Sequence, residues 1–334
     1  MKAIGYYQTL PIDNDEALLD ITIPTPKASG QDLLVAVKAV AVNPLDIKIR
    51  TRVQPEKDVA KILGWDATGI VTEVGPEVRL FQPGDEVWYA GDVTRAGTNS
   101  EFHLVNEELV AKKPRSLNFI EAAALPLTSL TAWEILFDRL QIPANDSGVL
   151  LVTGAAGGVG SILVQLARQL TKLTVIGTAS RPDSKKWILD NGAHHVIDHT
   201  KNMLEQLHAL NIAAIDYAVS LTHTDDHASQ LVEALKPAGK FALIDDPKHF
   251  DILAFKSKSL SIHWESMFTR SFYKTSDKIR QHEILTQVAQ LVDQGIIKTT
   301  LTECFGTINA NNLKKAHALI ESGKSRGKLV LSEF

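Results

Sequence analysis

The chain has almost no cysteine: Cys304 stands alone among 334 residues. An intramolecular disulfide is therefore impossible, as is a zinc cage built from several thiolates. The first residues, MKAIGYYQTLPIDNDE, lack the apolar stretch of a signal peptide. No uninterrupted apolar run approaches the roughly 20 residues of a membrane-spanning helix, so the expected location is cytoplasmic, with no membrane partner. Charge of one sign is also missing in quantity: 35 Lys and Arg against 39 Asp and Glu leave a net −4. No basic block interleaved with aromatics occurs, and no nucleic-acid partner is expected. Repeats and low-complexity segments are absent. What is present, with 44% hydrophobic residues, is a globular chain long enough for two domains of ordinary size.

The most informative stretch is 149–181. It opens with the apolar run Val149-Leu150-Leu151-Val152, the length of a buried strand. Gly154-Ala155-Ala156-Gly157-Gly158-Val159-Gly160 follows, and then Ile162, Leu163, Leu166, Ala167 and Leu170 recur at helical spacing. A second apolar strand covers 173–178. Strand, glycine turn, helix and strand in this order make a βαβ unit suited to a dinucleotide. Gly154 and Gly157 are expected to let the backbone turn sharply and approach a pyrophosphate, beside Gly158 and Val159. Gly160 is expected to let the helix sit tight on the sheet, with its free N–H groups facing the phosphates. The spacing is G-x-x-G-x-x-G rather than G-x-G-x-x-G, and a merely structural turn is the alternative reading.

The tip of the second strand distinguishes between dinucleotides. An NAD site usually carries an acid there, accepting from the ribose 2′-OH. Here the sequence runs Gly177-Thr178-Ala179-Ser180-Arg181-Pro182-Asp183-Ser184-Lys185, with no acid at the tip. Ser180, Arg181 and Lys185 offer a hydroxyl and two cations, which suit a 2′-phosphate, so NADPH is the expected cofactor. An ordinary solvated basic turn is the plainer alternative. Asp183 is expected to cap the next helix.

Before this unit the chain reads as β-rich. Strands are expected at 33–42, 69–75 and 86–90, the last after the turn Pro83-Gly84-Asp85, which suggests a partly open barrel or sandwich. A helical region begins near Asn118, with Leu130, Trp133, Leu136, Phe137 and Leu140 on one face of a helix over 129–140. After Val149, strands at 195–197, 215–219, 241–244 and 260–264 alternate with helices, one at 226–235. The fold class is α/β, with a doubly wound parallel sheet. Past residue 270 the alternation stops. Two amphipathic helices end at Gly295 and Gly323, and a last strand, 328–331, is expected to rejoin the first domain.

Together, several stretches carry a family resemblance: Asn43-Pro44-Leu45-Asp46-Ile47-Lys48, Gly64-Trp65-Asp66-Ala67-Thr68-Gly69-Ile70-Val71, Phe81-Gln82-Pro83-Gly84-Asp85-Glu86-Val87-Trp88, the segment 123–134, the glycine turn and Gly327-Lys328-Leu329-Val330-Leu331. In this order, along nearly the whole chain, they resemble the medium-chain dehydrogenase/reductase superfamily. The likeness is to its zinc-free quinone oxidoreductase branch, and especially to its zinc-type alcohol dehydrogenase-like members. The resemblance implies a GroES-like catalytic domain from residues 1–122 and 271–334. A Rossmann NADP-binding domain would cover 123–270, with substrate in a cleft. It also implies a homodimer, often paired through the Rossmann sheet.

The zinc-dependent relatives hold their metal with a Cys, a His from a Gly-His-Glu segment, and a later Cys or Asp. At the matching positions stand Asn43 and Gly64-Trp65-Asp66, and the region of the four-cysteine lobe, 90–102, has no cysteine. No metal site is expected. Two histidine groups offer other donors. His223 and His227 flank Asp225 and Asp226, and helix capping in a solvated loop explains them more simply. His194 and His195 read as a turn before a strand. By resemblance His199 lies near the adenine ribose.

Without a metal, nothing strongly polarises a plain ketone. A quinone or an activated alkene such as an enone needs less help, so an NADPH-dependent reductase of these small molecules is the expected activity. By resemblance Asn43 and Thr131 touch the cofactor, and Asp46 and Trp65 line the same cleft. Two readings stay open for each of these last two. Asp46 either serves the site or holds Lys48 or the Asn43 loop; Trp65 either stacks on a flat substrate or packs in the core. Tyr89 is a proton donor or a core residue. Ser220, Leu221, Leu243, Ile244 and Asp245 are expected along the dinucleotide, at strand carboxyl ends. Two other functions stand beside this one: an NADPH-binding structural or regulatory protein with weak turnover, and a zinc-dependent alcohol dehydrogenase.

Overall fold

Leu33 to Val42 is an unbroken run of β-compatible residues, and the first sheet is built around it. In chain order the elements of this half are β1 (Lys2–Tyr6), β2 (Leu19–Thr22), β3 (Asp32–Val42), α1 (Pro44–Arg52), β4 (Lys61–Ile62), β5 (Ala67–Val74), β6 (Glu86–Tyr89), β7 (Phe102–Asn106), β8 (Val110–Lys112), α2 (Phe119–Ala123) and α3 (Pro126–Trp133). Then follow β9 (Val149–Thr153), α4 (Gly158–Leu170), β10 (Thr174–Thr178), α5 (Pro182–Asp190), β11 (His195–Ile197), α6 (Met203–Ala209), β12 (Ile215–Ser220), α7 (Thr224–Ala234), β13 (Leu235–Leu243) and β14 (Ser261–Trp264). The tail adds α8 (Thr269–Phe272), α9 (Arg280–Asp293), β15 (Leu301–Cys304), α10 (Ala310–Glu321) and β16 (Lys328–Ser332). The computed structural model describes residues 1–334. It divides into two units, Met1–Leu130 with Phe268–Phe334, and Thr131–Met267.

In the first unit a seven-stranded sheet runs β15-β16-β3-β5-β6-β8, with β7 also on β3, and a three-stranded sheet runs β2-β1-β4. The N-terminal part of β3 pairs with β7, and its C-terminal part, Ala39 to Val42, pairs antiparallel with β16. Two register shifts against β5 bend β3. The tail thus completes the first sheet. Ala39, Ala41, Ala123, Ala124 and Val330 form a buried patch of small side chains, against which Phe119 and Ile120 of α2 also pack. The two compact units divide at 130/131, whereas the family resemblance implies 122/123.

Asn118 and Glu121 form a reciprocal capping box at the start of α2. The helical run continues through α3 into a π-helical turn, Glu134–Arg139, so the uniform helix expected over 129–140 is corrected. The whole stretch Phe119–Arg139 is, by length and composition alone, long and apolar enough to cross a membrane, although no uninterrupted apolar run within it is. Its most apolar window is 83% buried inside the protein, as in a core helix. Glu121, Glu134, Asp138 and Arg139 interrupt the pattern and hide it in the sequence.

The second unit is a six-stranded parallel sheet in the order β11-β10-β9-β12-β13-β14. Counted from β9, that is 3-2-1-4-5-6, the doubly wound order that binds dinucleotides at strand carboxyl ends. Leu151, Ile176, Ala218, Phe241 and Leu243 from its strands are buried against Leu207 and Leu231 from its helices. Lys236-Pro237-Ala238-Gly239, which reads as a helix end, belongs to β13, with Ala238 at φ 61° and a register shift opposite on β12.

Candidate functional site

The glycine turn between β9 and α4 fits a bound pyrophosphate. Gly154 has φ +70°, a conformation that side chains disfavour. Gly157 is the N-cap of α4 in ordinary extended backbone, so its role is the cap rather than strain. At Gly160 a Cβ would stand 2.5 Å from the Ala155 Cα and the Gly154 oxygen. The helix therefore closes on the turn itself, not on the sheet as the sequence suggested. Gly158 and Val159 open α4, whose first turn carries no acid, so its N-terminal N–H groups and dipole face no built-in anion.

At the tip of β10, Thr178 pairs with Ile197 of β11, and the Ala179 N–H donates to the Ile197 oxygen. The segments Ser180-Arg181 and Asp198-His199 therefore leave the sheet side by side. Ser180 and Arg181 are exposed, Lys185 is half-buried, and Lys185 Nζ lies 3.9 Å from Asp198 Oδ2. Arg181 sits at the N-cap of α5, with Lys185 one turn on, so two cations crowd a helix start where the dipole disfavours them. Asp183 is not the cap; it lies in the first turn, where its charge suits the dipole. Thr178 was missed in the sequence: its Oγ1 is buried at this tip without a hydrogen-bond partner.

Farther along the carboxyl edge a chain of hydroxyls ends in a carboxylate. Thr153 donates to Ser220 Oγ at 3.3 Å, and Ser220 and Thr224 hydroxyls lie 2.7 Å apart. Thr224 donates both its hydroxyl and its N–H to Asp245. Asp245 thus anchors the start of α7, leaving Leu221 and Ile244 half-buried beside it and Leu243 fully buried. Asp225 accepts from the Lys248 and His249 N–H groups and pins the following loop, which explains its place between His223 and His227. His194 accepts from the Val175 N–H through Nδ1. Thr131 lies on α3, only 5% exposed.

In the first unit, the end of β3 and the start of α1 carry a buried polar network. Asn43 is the N-cap of α1, and its N–H donates to Asp46 Oδ2 at 2.6 Å. Asp46 Oδ1 accepts from the Gly64 N–H at 2.9 Å. Lys328 on β16 places Nζ 2.6 Å from Asn43 Oδ1, 2.9 Å from Asp66 Oδ2 and 3.2 Å from the Val42 oxygen. Asn43 Nδ2 faces the Ala41 oxygen and Asp66 Oδ2, each at 3.3 Å, and Asp66 Oδ1 accepts from the Leu127 N–H at 3.1 Å. All four residues are at most 3% exposed. Burial pushes the Asp46 carboxyl up to about 7 and also raises Asp66, with the Lys328 ammonium opposing both shifts. Asp46 therefore holds the Asn43 loop, the structural alternative left open by the sequence. Lys328 and Asp66 were missed as a pair; the signal was a charge placed at the edge of each of two apolar strands.

Trp65 is 1% exposed and donates Nε1 to the Asp92 oxygen, so it packs in the core. Tyr89 is fully buried, stacked on His103 with ring centroids 5.5 Å apart and its hydroxyl 3.2 Å from His103 Nδ1. Burial raises its pKa far above the usual phenol range, which fits the core reading.

The zinc of related enzymes does not fit this donor set. Asn43 Oδ1 and both Asp66 oxygens already accept hydrogen bonds, two of them from one ammonium, and Trp65 has no lone pair to offer. No group of three or more His, Cys, Asp or Glu elsewhere is arranged to hold a metal.

Residues 29–115 match the Alcohol dehydrogenase GroES-like domain, and 191–331 match the Zinc-binding dehydrogenase domain. A zinc-type alcohol dehydrogenase-like protein of Staphylococcus epidermidis is 38% identical over 99% of both chains. A Rhizobium etli CFN 42 protein, put forward as a zinc-dependent alcohol dehydrogenase, is 53% identical, with a TM-score of 0.97 over 100% of this chain and 98% of that one. The quinone oxidoreductase of Coxiella burnetii is 26% identical, with a TM-score of 0.82 over 100% of this chain and 99% of that one. With a GroES-like unit, a 3-2-1-4-5-6 parallel sheet and relatives matched end to end, the chain belongs to the medium-chain dehydrogenase/reductase superfamily of oxidoreductases.

Proposed function

We propose that the protein is an NADPH-dependent reductase of quinones or enones that works without a metal. The observation that carries this reading is the Lys328 network, in which a buried ammonium neutralises Asp66 and occupies the Asn43 oxygen. The quinone oxidoreductase likeness supports the substrate class. The cationic tip of β10 supports NADPH over NADH.

When bound, the reduced nicotinamide supplies a hydride. The chain's own residues bind and orient. Gly154, Gly157 and the first turn of α4 receive the pyrophosphate, and Ser180, Arg181 and Lys185 receive the 2′-phosphate. The buried network keeps the Asn43 loop in one conformation. A quinone or enone spreads the charge it gains over a conjugated system, so it needs orientation and hydrogen bonds more than a Lewis acid. Tyr89 does not donate the proton, because its hydroxyl is committed to His103. We also infer a homodimer through β14, an edge strand whose Trp264 is 55% exposed.

The test is steady-state oxidation of NADPH with para-benzoquinone and with an enone, in a metal chelator. Turnover with chelator present is expected. Arg181→Ala with Lys185→Ala should raise the KM for NADPH at least tenfold more than that for NADH. Loss of activity on chelation, or equal effects on both cofactors, would overturn the respective part.

A further inference from the structure

Two histidines lie together near the β10 tip, one of them His199, which the family resemblance places near the adenine ribose. His199 follows β11 and His227 lies on α7, and their rings meet edge to face with centroids 5.5 Å apart. Both are half-buried. A third, His223, holds a left-handed backbone, φ 54°, at the N-cap of α7, with Nδ1 2.8 Å from Thr222 Oγ1. The parallel pairing of β10 and β11 carries His199 out beside Ser180 and Arg181, and Lys185 reaches toward Asp198, the neighbour of His199. Side chains able to carry positive charge thus gather from three strand ends onto one spot.

We propose that His199 and His227 are specificity-determining residues of the dinucleotide site, joining Lys185 in a pocket that grips an adenosine 2′-phosphate more tightly as the pH falls. This rests on the NADPH reading above. The charged groups facing the pair are Lys185, His223, Asp198, Asp226 and Asp245. Burial first, then repulsion among His199, His227, His223 and Lys185, keeps both rings below the ordinary histidine range, while the aspartates oppose this. Groups that hinder one another's protonation are reconciled by an anion among them. A bound phosphate therefore raises both pKa values, and binding takes up protons. By contrast, a phosphate with a second pKa near 6, held by fixed cations alone, releases protons on binding. The direction of proton flow separates the two cases.

The experiment is isothermal titration calorimetry of the full chain with adenosine 2′,5′-bisphosphate and with adenosine 5′-monophosphate, between pH 8 and pH 5.5, in buffers of different ionisation heat. In the native protein, the preference for the bisphosphate should grow about tenfold more over this range than in His199→Asn/His227→Asn. Net proton uptake near pH 6.5 should be present in the native protein and lost or reversed in the variant. Circular dichroism and a melting curve establish that the variant is folded; should it fail to fold, the single His227→Asn variant and the native protein's own proton flow decide. Identical pH dependence in native and variant, or net proton release by the native protein, overturns this inference and leaves the NADPH reading intact. No binding of the bisphosphate or of NADPH at any pH overturns both.

Discussion

Lys328 shows how much can rest on one side chain. It is the only cation within hydrogen-bond reach of Asp66, and it is 3% exposed. Breaking a buried charge pair by removing one partner typically costs about 3–5 kcal/mol, because the other charge is left uncompensated. Lys328→Met should lower stability by about that much at pH 8 in urea denaturation. The loss should shrink as the pH falls through about 7, where the Asp46 carboxyl takes up its proton and removes one of the negative charges Lys328 opposes. His317 is the opposite case. It is fully buried on α10, neither ring nitrogen has a partner, and burial pushes its pKa down to about 3. An unsatisfied buried polar group costs about 1–3 kcal/mol, so His317→Leu should stabilise the protein by about 1–2 kcal/mol at pH 7. The unfolded chain protonates this histidine near pH 6.5 and the folded one does not until about 3. The advantage of the leucine variant should therefore widen as pH falls below 6.5, by up to about 1.4 kcal/mol per unit. Denaturation curves at pH 7, 6 and 5 would check this.

At the scale of elements, what was legible followed from strong local chemistry. The strand–glycine–helix order around Gly154 placed β9, α4 and β10 within a residue or two, because apolar period and turn glycines agree there. The π turn at Glu134–Arg139 was not legible, since its side-chain pattern is that of any amphipathic helix. α7 does end at Ala234, just before Lys236-Pro237-Ala238-Gly239, but that segment also opens β13, whose start was expected only at 241 because its proline and glycine lie in a bulged part of the strand. The partnership of Asn43, Asp66 and Lys328 was hidden for a different reason: sequence separation of 262 between Asp66 and Lys328 is settled only by sheet pairing. At Gly160, Ala155 and Gly154 backbone atoms stand where a methyl would go. Gly160→Ala should therefore push α4 off the turn, weakening NADPH binding at least tenfold and lowering the melting temperature, measured by fluorescence titration and calorimetry.

At the scale of the whole molecule, the α/β class and the parallel sheet were readable because helices and strands alternate from Val149 onward. The sheet order was not, since a one-dimensional pattern does not say which strand lies beside which. The exposed edge at β14 bears on assembly: an unpaired parallel edge with an outward indole invites a second copy. Trp264→Arg should convert the proposed dimer to monomers in sedimentation velocity, and unchanged mass would remove that assembly mode.

The pairing of β16 with the centre strand β3 has a consequence during synthesis. A ribosome delivers β3 early and its neighbour nearly three hundred residues later. The nucleotide-binding half has all its strands in one uninterrupted segment, so it can finish folding while its predecessor is still waiting. Until the final strand emerges, the aspartate that Lys328 will neutralise waits beside an open sheet edge.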